Sequence, residues 1–443
     1  MSTLWLLLGF QPVFLWSDTL IYLLLLGGGV WLNFALRREY WRAALRQIAA
    51  NRAAMVSFGV LCLYGTVGFL DTLHFRKVSQ EAPSGGNIQS VLDVLCAPLI
   101  AHTERTYSSP FSMYSFTKEN VITPDGGQIR EYPRLQFAGD YLQDPNDKIA
   151  DIRSKALSGV GWGLAVGAAL FFATRWLGGS MGAGGFLLAV SVIVAAAAEL
   201  SASYHILGTD KTGQDVLYIA LKSVRTGLII GTLTTLIVTP FAILCGVLAG
   251  YVGGWVDDII QYVYSTLESI PDILLIAAAM LIFQVGLTEE ETIISADKRL
   301  VYLCLIMGIT SWTGLCRLLR AEALKLREIE YVQAADAFGV SRARIMLRHL
   351  VPNIMHIVLI SIVLRFSGLV LAEAVLAYVG IGVDPSMQSW GNMINQARLE
   401  LAREPVVWWN LFAAFVFMLG LVLPANLFGD AVRDALDPRL RTQ

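Results

Sequence analysis

The sequence predicts an all-α chain, a polytopic bundle of membrane-crossing helices. Three observations predict it. Of 443 residues, 55% are hydrophobic and only 15% are charged, where a soluble domain carries about a quarter charged residues. Mean hydropathy is +0.58. Several windows exceed the roughly 18 apolar residues needed to cross a bilayer. The formal net charge of -2 decides little, because in a membrane the placement of Lys and Arg outweighs their sum.

In chain order, residues 3–16 are apolar but short and contain Pro12. A re-entrant piece, an interfacial piece and half of a hairpin all fit. Residues 19–36 make a better span, bounded by Asp18 and Arg37. Next come Arg37, Arg38, Arg42, Arg46 and Arg52 against the single acid Glu39. Such an excess of Arg places a segment in the cytoplasm. Residues 1–52 therefore read as one or more extra N-terminal membrane spans with a basic cytoplasmic segment. No cleavable signal peptide is expected, since no Lys or Arg precedes Arg37. Residues 53–73 form the first core transmembrane helix, leading outward.

Residues 74–155 are polar and fall outside as a periplasmic insert. Residues 91–100 are apolar, and Tyr107, Phe111, Tyr114 and Phe116 alternate with Ser and Thr. A small lid-like subdomain and a plain loop both fit. Residues 156–199 form an extra transmembrane hairpin, with spans at 156–174 and 181–198 around a turn at Gly178, Gly179 and Gly182. Small residues, Gly161, Gly163 and Gly167 on one side and 195–198 on the other, suit close helix contact in lipid.

Further spans follow at 226–250, 259–287 (broken near Pro271), 300–316, 351–378 and 405–428, for about nine or ten in all. The loop 317–350 faces inward on the strength of Arg317, Arg320, Arg342, Arg344 and Arg348. Glu322, Glu328, Glu330 and Asp336 temper it, so the surface suits a protein partner and not a nucleic acid. Within it, 331–338 is Ala-rich and helix-favouring. Gly339 offers the left-handed residue that ends a helix, Ser341 can cap the next one, and Pro352 opens an apolar run. Arg365 and Glu373 lie at membrane depth, where a charge costs several kcal/mol unless paired or in a water-filled path. With Glu268, beside Pro271, they are candidates for the bundle interior or the pathway.

The stretch 331–353 resembles the "EAA" loop of permeases from binding-protein-dependent ABC importers. Gln333, Ala334, Ala335, Gly339 and Pro352 stand in register, while Gln333 replaces the usual acid and His349 and Val351 replace Ile and Leu. The run His349-Leu350-Val351-Pro352-Asn353 resembles the peptide-transporting branch. The resemblance implies a coupling helix that docks on a separate ATPase, with Tyr331, Gln333, Ala334, Ala335, Gly339, Arg344 and Pro352 as coupling residues. Residues 205–215 (HILGTDKTGQD) are similar to the family's HPLGTDxxGRD through Gly208, Thr209, Asp210, Gly213 and Asp215; Ile206 and Gln214 depart from it. Asp210 and Asp215 can cap short helices there. The segment YVGGWVDD resembles a family turn ending in Asp257. Ser389, Trp390 and Gly391 resemble an outer-face segment, and Asp430, Arg433 and Asp434 resemble the family's C-terminal pattern.

The resemblance covers more than half of the chain. It implies a type I ABC importer permease fold with extra N-terminal and inserted spans, and a core permease domain over 205–443. It points to the dipeptide/oligopeptide branch and its "C" subunit type, moving peptides or related solutes. Implied partners are a second (sister) permease subunit, two ABC ATPase subunits, a periplasmic substrate-binding protein and membrane lipid, in a bacterial inner membrane.

The chain itself has no Walker A motif: Asp210 precedes Lys211-Thr212 where a P-loop needs Gly. ATP and Mg are then used by partner subunits, and no cofactor is expected here. An enzyme is disfavoured. The five histidines, His74, His102, His205, His349 and His356, are scattered and no Gly-x-Ser-x-Gly elbow is present, so neither catalytic nor metal-binding residues are expected. The five cysteines show no framework. The alternative is a secondary transporter or channel acting without an ATPase. It would show inverted repeats and paired broken helices, and the sequence has one Pro-interrupted span and no repeat.

Overall fold

A computed structural model describes residues 10–37, 39–77, 88–122, 128–142, 144–176, 180–285 and 293–436. The expectations for 3–9, for Gly178 and Gly179, and for the tail beyond Leu436 lie outside the described residues. The chain begins with β1 (Phe10–Pro12), α1 (Trp16–Leu36), α2 (Glu39–Ala50) and α3 (Arg52–Thr72). Then come β2 (His74–Lys77), β3 (Ile88–Ser90), α4 (Val91–Leu95), α5 (Ala97–Ala101), β4 (Glu119–Ile122) and β5 (Gln128–Glu131). Helices α6 (Lys148–Trp176), α7 (Met181–Ser201), α8 (Val216–Val252), α9 (Gly254–Glu268), α10 (Asp272–Val285) and α11 (Ile293–Thr310) follow. The rest is α12 (Thr313–Arg327), α13 (Glu330–Ala337), α14 (Arg342–Ile345), a π-helical turn (Met346–Leu350), α15 (Val351–Tyr378), α16 (Trp390–Glu400) and α17 (Trp409–Leu436).

Six helices are long and apolar enough to cross a membrane among the described residues, and up to eight spans result if each of two bent pairs counts as one. Trp16–Val30 adds a shorter apolar helix. One bent pair matches the break expected near Pro271, and the other was not expected from sequence. The break expected near Pro271 is a turn of 88° between α9 and α10, and α11 meets α12 at 41°. The inward loop expected from residue 317 is helical up to Arg327. Pro240 sits inside α8 without ending it, and that helix starts at Val216 rather than near residue 226.

Contacts divide the chain into two compact units. The first comprises Met1–Val13, Gly59–Thr226 and Gln388–Gly420. Its insert is not a plain loop. Strands β1, β2 and β3 form an antiparallel sheet in that order, with Phe10 opposite Lys77 and His74 opposite Ser90. β4 and β5 form a hairpin. Ser90 and Asp93 make a reciprocal capping box at the start of α4, which satisfies two otherwise orphaned amides. Asp93 also accepts from the Tyr218 hydroxyl at 2.8 Å and pairs with Lys222, which lies 3.5 Å from Asp71. Burial opposes ionisation of Asp93, but the Lys222 ammonium overrides it and lowers its pKa.

Helices α6 and α7 pack backbone to backbone. A Cβ on Gly159, Gly163 or Gly167 would stand 2.7, 2.5 or 2.9 Å from the Cα of Ala196, Val192 or Leu188. No side chain fits at those distances, so only glycine permits the approach. The contacting series is 159, 163 and 167, with the four-residue spacing of membrane helix pairs. Gly161, expected from sequence to share this role, faces open space.

The second unit comprises Phe14–Phe58, Gly227–Met387 and Leu421–Gln443. Helix α1 is fastened at its start, where the Ser17 amide donates to Asp297 Oδ2 at 3.1 Å. Leu20 and Ile21 then pack against a buried cluster that includes Ile229, Leu300, Leu303 and Met307. A second buried cluster gathers Tyr251, Trp312, Leu319, Ala323, Val332, Ile345, Leu350 and Ile354. Close approach of α8 to α12 again depends on glycine: a Cβ on Gly250 would stand 2.6 Å from both Ala323 Cβ and the Arg320 carbonyl.

Candidate coupling site

The candidate coupling segment lies in the second unit, between α12 and α15. Two ion pairs hold α12 to α9. Arg320 forks onto Asp257, with Nε to Oδ1 and Nη2 to Oδ2 both at 2.6 Å. This bidentate geometry is the strong form of an Arg–carboxylate contact. Arg317 pairs with Glu268 and lies over the Tyr264 ring. Glu268 is thus an ion-pair partner within the second unit.

Helix α13 is attached by very little. Val332 is its buried residue and Ala335 is half-buried, while Tyr331, Gln333, Ala334, Asp336 and Ala337 are exposed. Phe338, at its end, is 88% exposed. Burying a valine stabilises by roughly 1.5–3 kcal/mol, little for a helix of eight residues. Its C-terminus is closed by a Schellman motif. The Val340 amide donates to Ala335 O at 3.1 Å and the Gly339 amide to Asp336 O at 2.9 Å. Gly339 supplies the required left-handed conformation, with φ of +74°.

Around this helix, Gln333 Nε2 donates to Glu328 Oε2 at 3.4 Å. Tyr331 accepts at its hydroxyl from Asn353 Nδ2 at 2.9 Å. A cavity of about 290 Å³ lies alongside, lined among others by Tyr251, Arg327, Glu328, Gln333, Asp336 and Arg342. Arg344 is exposed on α14. Ser341 occupies the cap position of that helix, but its side chain makes no capping bond; its carbonyl accepts from the Arg344 and Ile345 amides instead. Pro352 lies in the first turn of α15, directly after the π-helical turn. There its missing N–H costs least.

Of the membrane-depth charges, Arg365 donates from Nη1 to the Ser311 carbonyl at 2.6 Å, at the bend between α11 and α12. Glu373 is buried, 4% exposed. Asp430, Arg433 and Asp434 are exposed near the end of α17.

The remaining sequence-predicted residues gather in the first unit. Ser108 N donates to Thr209 Oγ1 at 2.6 Å, and Thr209 O accepts from Trp409 Nε1 at 2.9 Å. Asp210 closes a turn by accepting from the Thr212 and Gln214 amides at 2.8 and 2.9 Å. It caps no helix. Asp215 does, accepting from Leu217 N at 2.8 Å at the start of α8. Gly208 and Gly213 have φ of +72° and +78°, and a Cβ on either would collide with a carbonyl of Ser108 or Glu104. Trp390 Nε1 donates to Ala220 O at 3.0 Å. Gly391, next to it, is buried.

His205 is buried between two carboxylates. Nδ1 meets Asp215 Oδ2 at 2.8 Å, and Nε2 stands 3.8 Å from Glu104 Oε1, an ion pair rather than a hydrogen bond. Burial alone would lower the imidazole pKa, but Asp215 and then Glu104 override it and raise it from 6.5 to about 9. Glu104 in turn accepts from the Gln136 and Phe137 amides, both at 2.9 Å. Glu400, also buried, accepts from Tyr107 Oη at 3.1 Å and Asn410 Nδ2 at 2.7 Å. Its burial raises its pKa. Sequence reasoning missed Glu104, Ser108, Glu400 and Trp409. None stands in a motif, and each has at least one partner about a hundred or more residues away. Only Trp409, at the start of an apolar helix, carried a signal.

Comparison with known proteins supplies the deciding observation. Residues 242–442 match the family described as "Binding-protein-dependent transport system inner membrane component". Over 245 residues the chain is 31% identical to the oligopeptide transport system permease protein OppC of Haemophilus influenzae, covering 55% of this chain and 74% of that one. The chain belongs to this family. The permease is also 31% identical over 237 residues to the dipeptide transport system permease protein DppC of Bacillus subtilis, covering 54% of this chain and 69% of the relative. It is 31% identical over 244 residues to the glutathione transport system permease protein GsiD of Pectobacterium atrosepticum, covering 55% and 76%. It is accordingly a multi-pass membrane protein and a non-enzymatic permease component of ATP-binding-cassette transport, which answers the alternative of a carrier or channel working alone.

Proposed function

We propose that this permease imports peptides or related solutes across a bacterial inner membrane, as one of two permease subunits driven by two ATPase subunits and fed by a periplasmic binding protein. The names of the relatives, for oligopeptides, dipeptides and glutathione, support the solute class. The observation that carries the ATPase partner is helix α13. Eight residues with one fully buried side chain, Val332, and with Phe338 standing 88% exposed beyond the helix, make a surface built to be covered. The excess of basic residues at Arg317, Arg320, Arg342, Arg344 and Arg348 supports a cytoplasmic position for that surface.

In this reading ATP closes the paired ATPases, and their movement reaches the bundle through α13 and Gly339. No bond in the solute is broken by this chain. ATP and Mg are held by the partners. The test is reconstitution of the chain with its sister permease and ATPases in proteoliposomes, with loaded binding protein added outside. Uptake of labelled peptide must require ATP and all partners. Uptake by this chain alone ends the proposal, as does labelling that finds residues 331–348 on the same side as the insert.

A further inference from the structure

We infer that α2 is a binding surface for anionic phospholipid headgroups of the leaflet at which α1 ends and α3 begins. Its position follows from connectivity. Residues 37–38 are all that separate α2 from the apolar helix α1, and Asn51 alone separates it from the membrane span α3. Asn51 Oδ1 accepts from the Ala53 and Ala54 amides at 3.0 and 3.3 Å, which fixes that junction. A helix of 12 residues tied at both ends to apolar helices cannot leave the headgroup layer.

Its two faces are differently committed. Trp41, Ala44 and Ile48 pack with Leu359 and Ile360 of α15 and with Val432, Ala435 and Leu436 of α17. An adjoining face carries Arg42, Leu45, Arg46 and Ala49, all exposed, at the i, i+3, i+4, i+7 spacing of a helix stripe. Leu45 is 40% exposed. Flanking it, Arg37 and Arg52 add further positive charge, and Glu39 is the acid of the segment. Asp430 and Asp434 are acids on α17, an element packed against α2. Among the described residues, no ion pair joins them to Arg42 or Arg46. A basic stripe bordered by Leu45 on the side of the packed face, held at the bilayer surface, matches phosphate headgroups through Arg42 and Arg46 and acyl chains through Leu45.

The test is lipid retention by the full-length chain, which does not depend on transport. Protein is equilibrated in nanodiscs of phosphatidylcholine with phosphatidylglycerol, extracted, and its retained lipid counted by native mass spectrometry. The wild type should keep phosphatidylglycerol in preference to phosphatidylcholine. Arg42→Gln should weaken the preference roughly fivefold, and Arg42→Gln with Arg46→Gln roughly 30-fold. Arg42→Lys with Arg46→Lys should preserve it and controls for folding. Equal retention of both lipids by the wild type, or an unchanged preference in the double Gln variant, overturns the inference. So does loss of ATPase co-purification in that variant with lipid retention intact, which would assign the stripe to a protein.

Discussion

Replacing Gly339 by Asn, Ala and Val should impair coupling in that order. The φ of +74° is one that an L-residue adopts at a cost of about 1–2 kcal/mol, more for a β-branched side chain and less for Asn. A Cβ there meets nothing within 4 Å, so strain alone acts and volume does not. That strain is comparable with the roughly 1.5–3 kcal/mol contributed by burying Val332, the anchor of α13. Each 1.4 kcal/mol is about tenfold in population, so Gly339→Val should raise the open state of the Schellman turn by about tenfold or more. Hydrogen exchange at the Gly339-position and Val340 amides reads this directly. Peptide uptake and stimulated ATP hydrolysis by the assembled transporter read its consequence. If Gly339→Asn is as damaging as Gly339→Val, or if Val keeps both protection and uptake, the turn is not the lever.

Three further outcomes follow from the geometry. His205 has its pKa raised from 6.5 to about 9, so its charge stabilises the first unit fully below about pH 6.5 and ceases to as pH rises through about 9. Proteolysis within 104–139 should therefore increase between about pH 7.5 and pH 10, and His205→Gln should abolish that dependence; the raised pKa is worth about 3 kcal/mol at most. Gly163→Val should separate α6 from α7 and lower the thermal midpoint in detergent by overpacking of about 1–3 kcal/mol or more, whereas Gly161→Val, facing open space, should leave it unchanged. Arg320→Lys keeps the charge but loses the fork on Asp257 and should cost about 1 kcal/mol; Arg320→Ala strands a half-buried carboxylate and should cost about 2–3 kcal/mol in thermal unfolding.

What could be read in advance was whatever is local. Gly339 sits between an Ala-rich run and a cap-like Ser, and the left-handed turn is there because a turn needs only its own neighbours. Apolar length placed the helices. What escaped was whatever depends on distant partners. Ser341 had the right position for a cap but its hydroxyl took no part, because its carbonyl does the bonding. Asp257 and Arg320 stand 63 positions apart, and no pattern links an Asp in a glycine turn to an Arg on another helix. The insert escaped for the same reason. Its closing groups, Glu104 and Ser108, meet Gly213 and Thr209 more than a hundred positions later, so a composition that fits a loop folds as part of a unit. The small-residue stripe was seen, but not its phase, because Gly161 and Gly159 are equally small and only the partner backbone distinguishes them.

The indole of Trp409 holds the carbonyl of Thr209, 200 positions earlier, and that of Trp390 holds Ala220, 170 positions earlier. Synthesis runs from the N-terminus, so strands, short helices and the α6/α7 pair all emerge before either indole exists. The first unit must therefore wait, its polar clefts unsealed, until nearly the whole polypeptide has left the ribosome. A chain cut short before residue 390 would retain its membrane hairpin yet lack both pins, and cellular quality control would meet an unfinished lobe rather than a smaller working one.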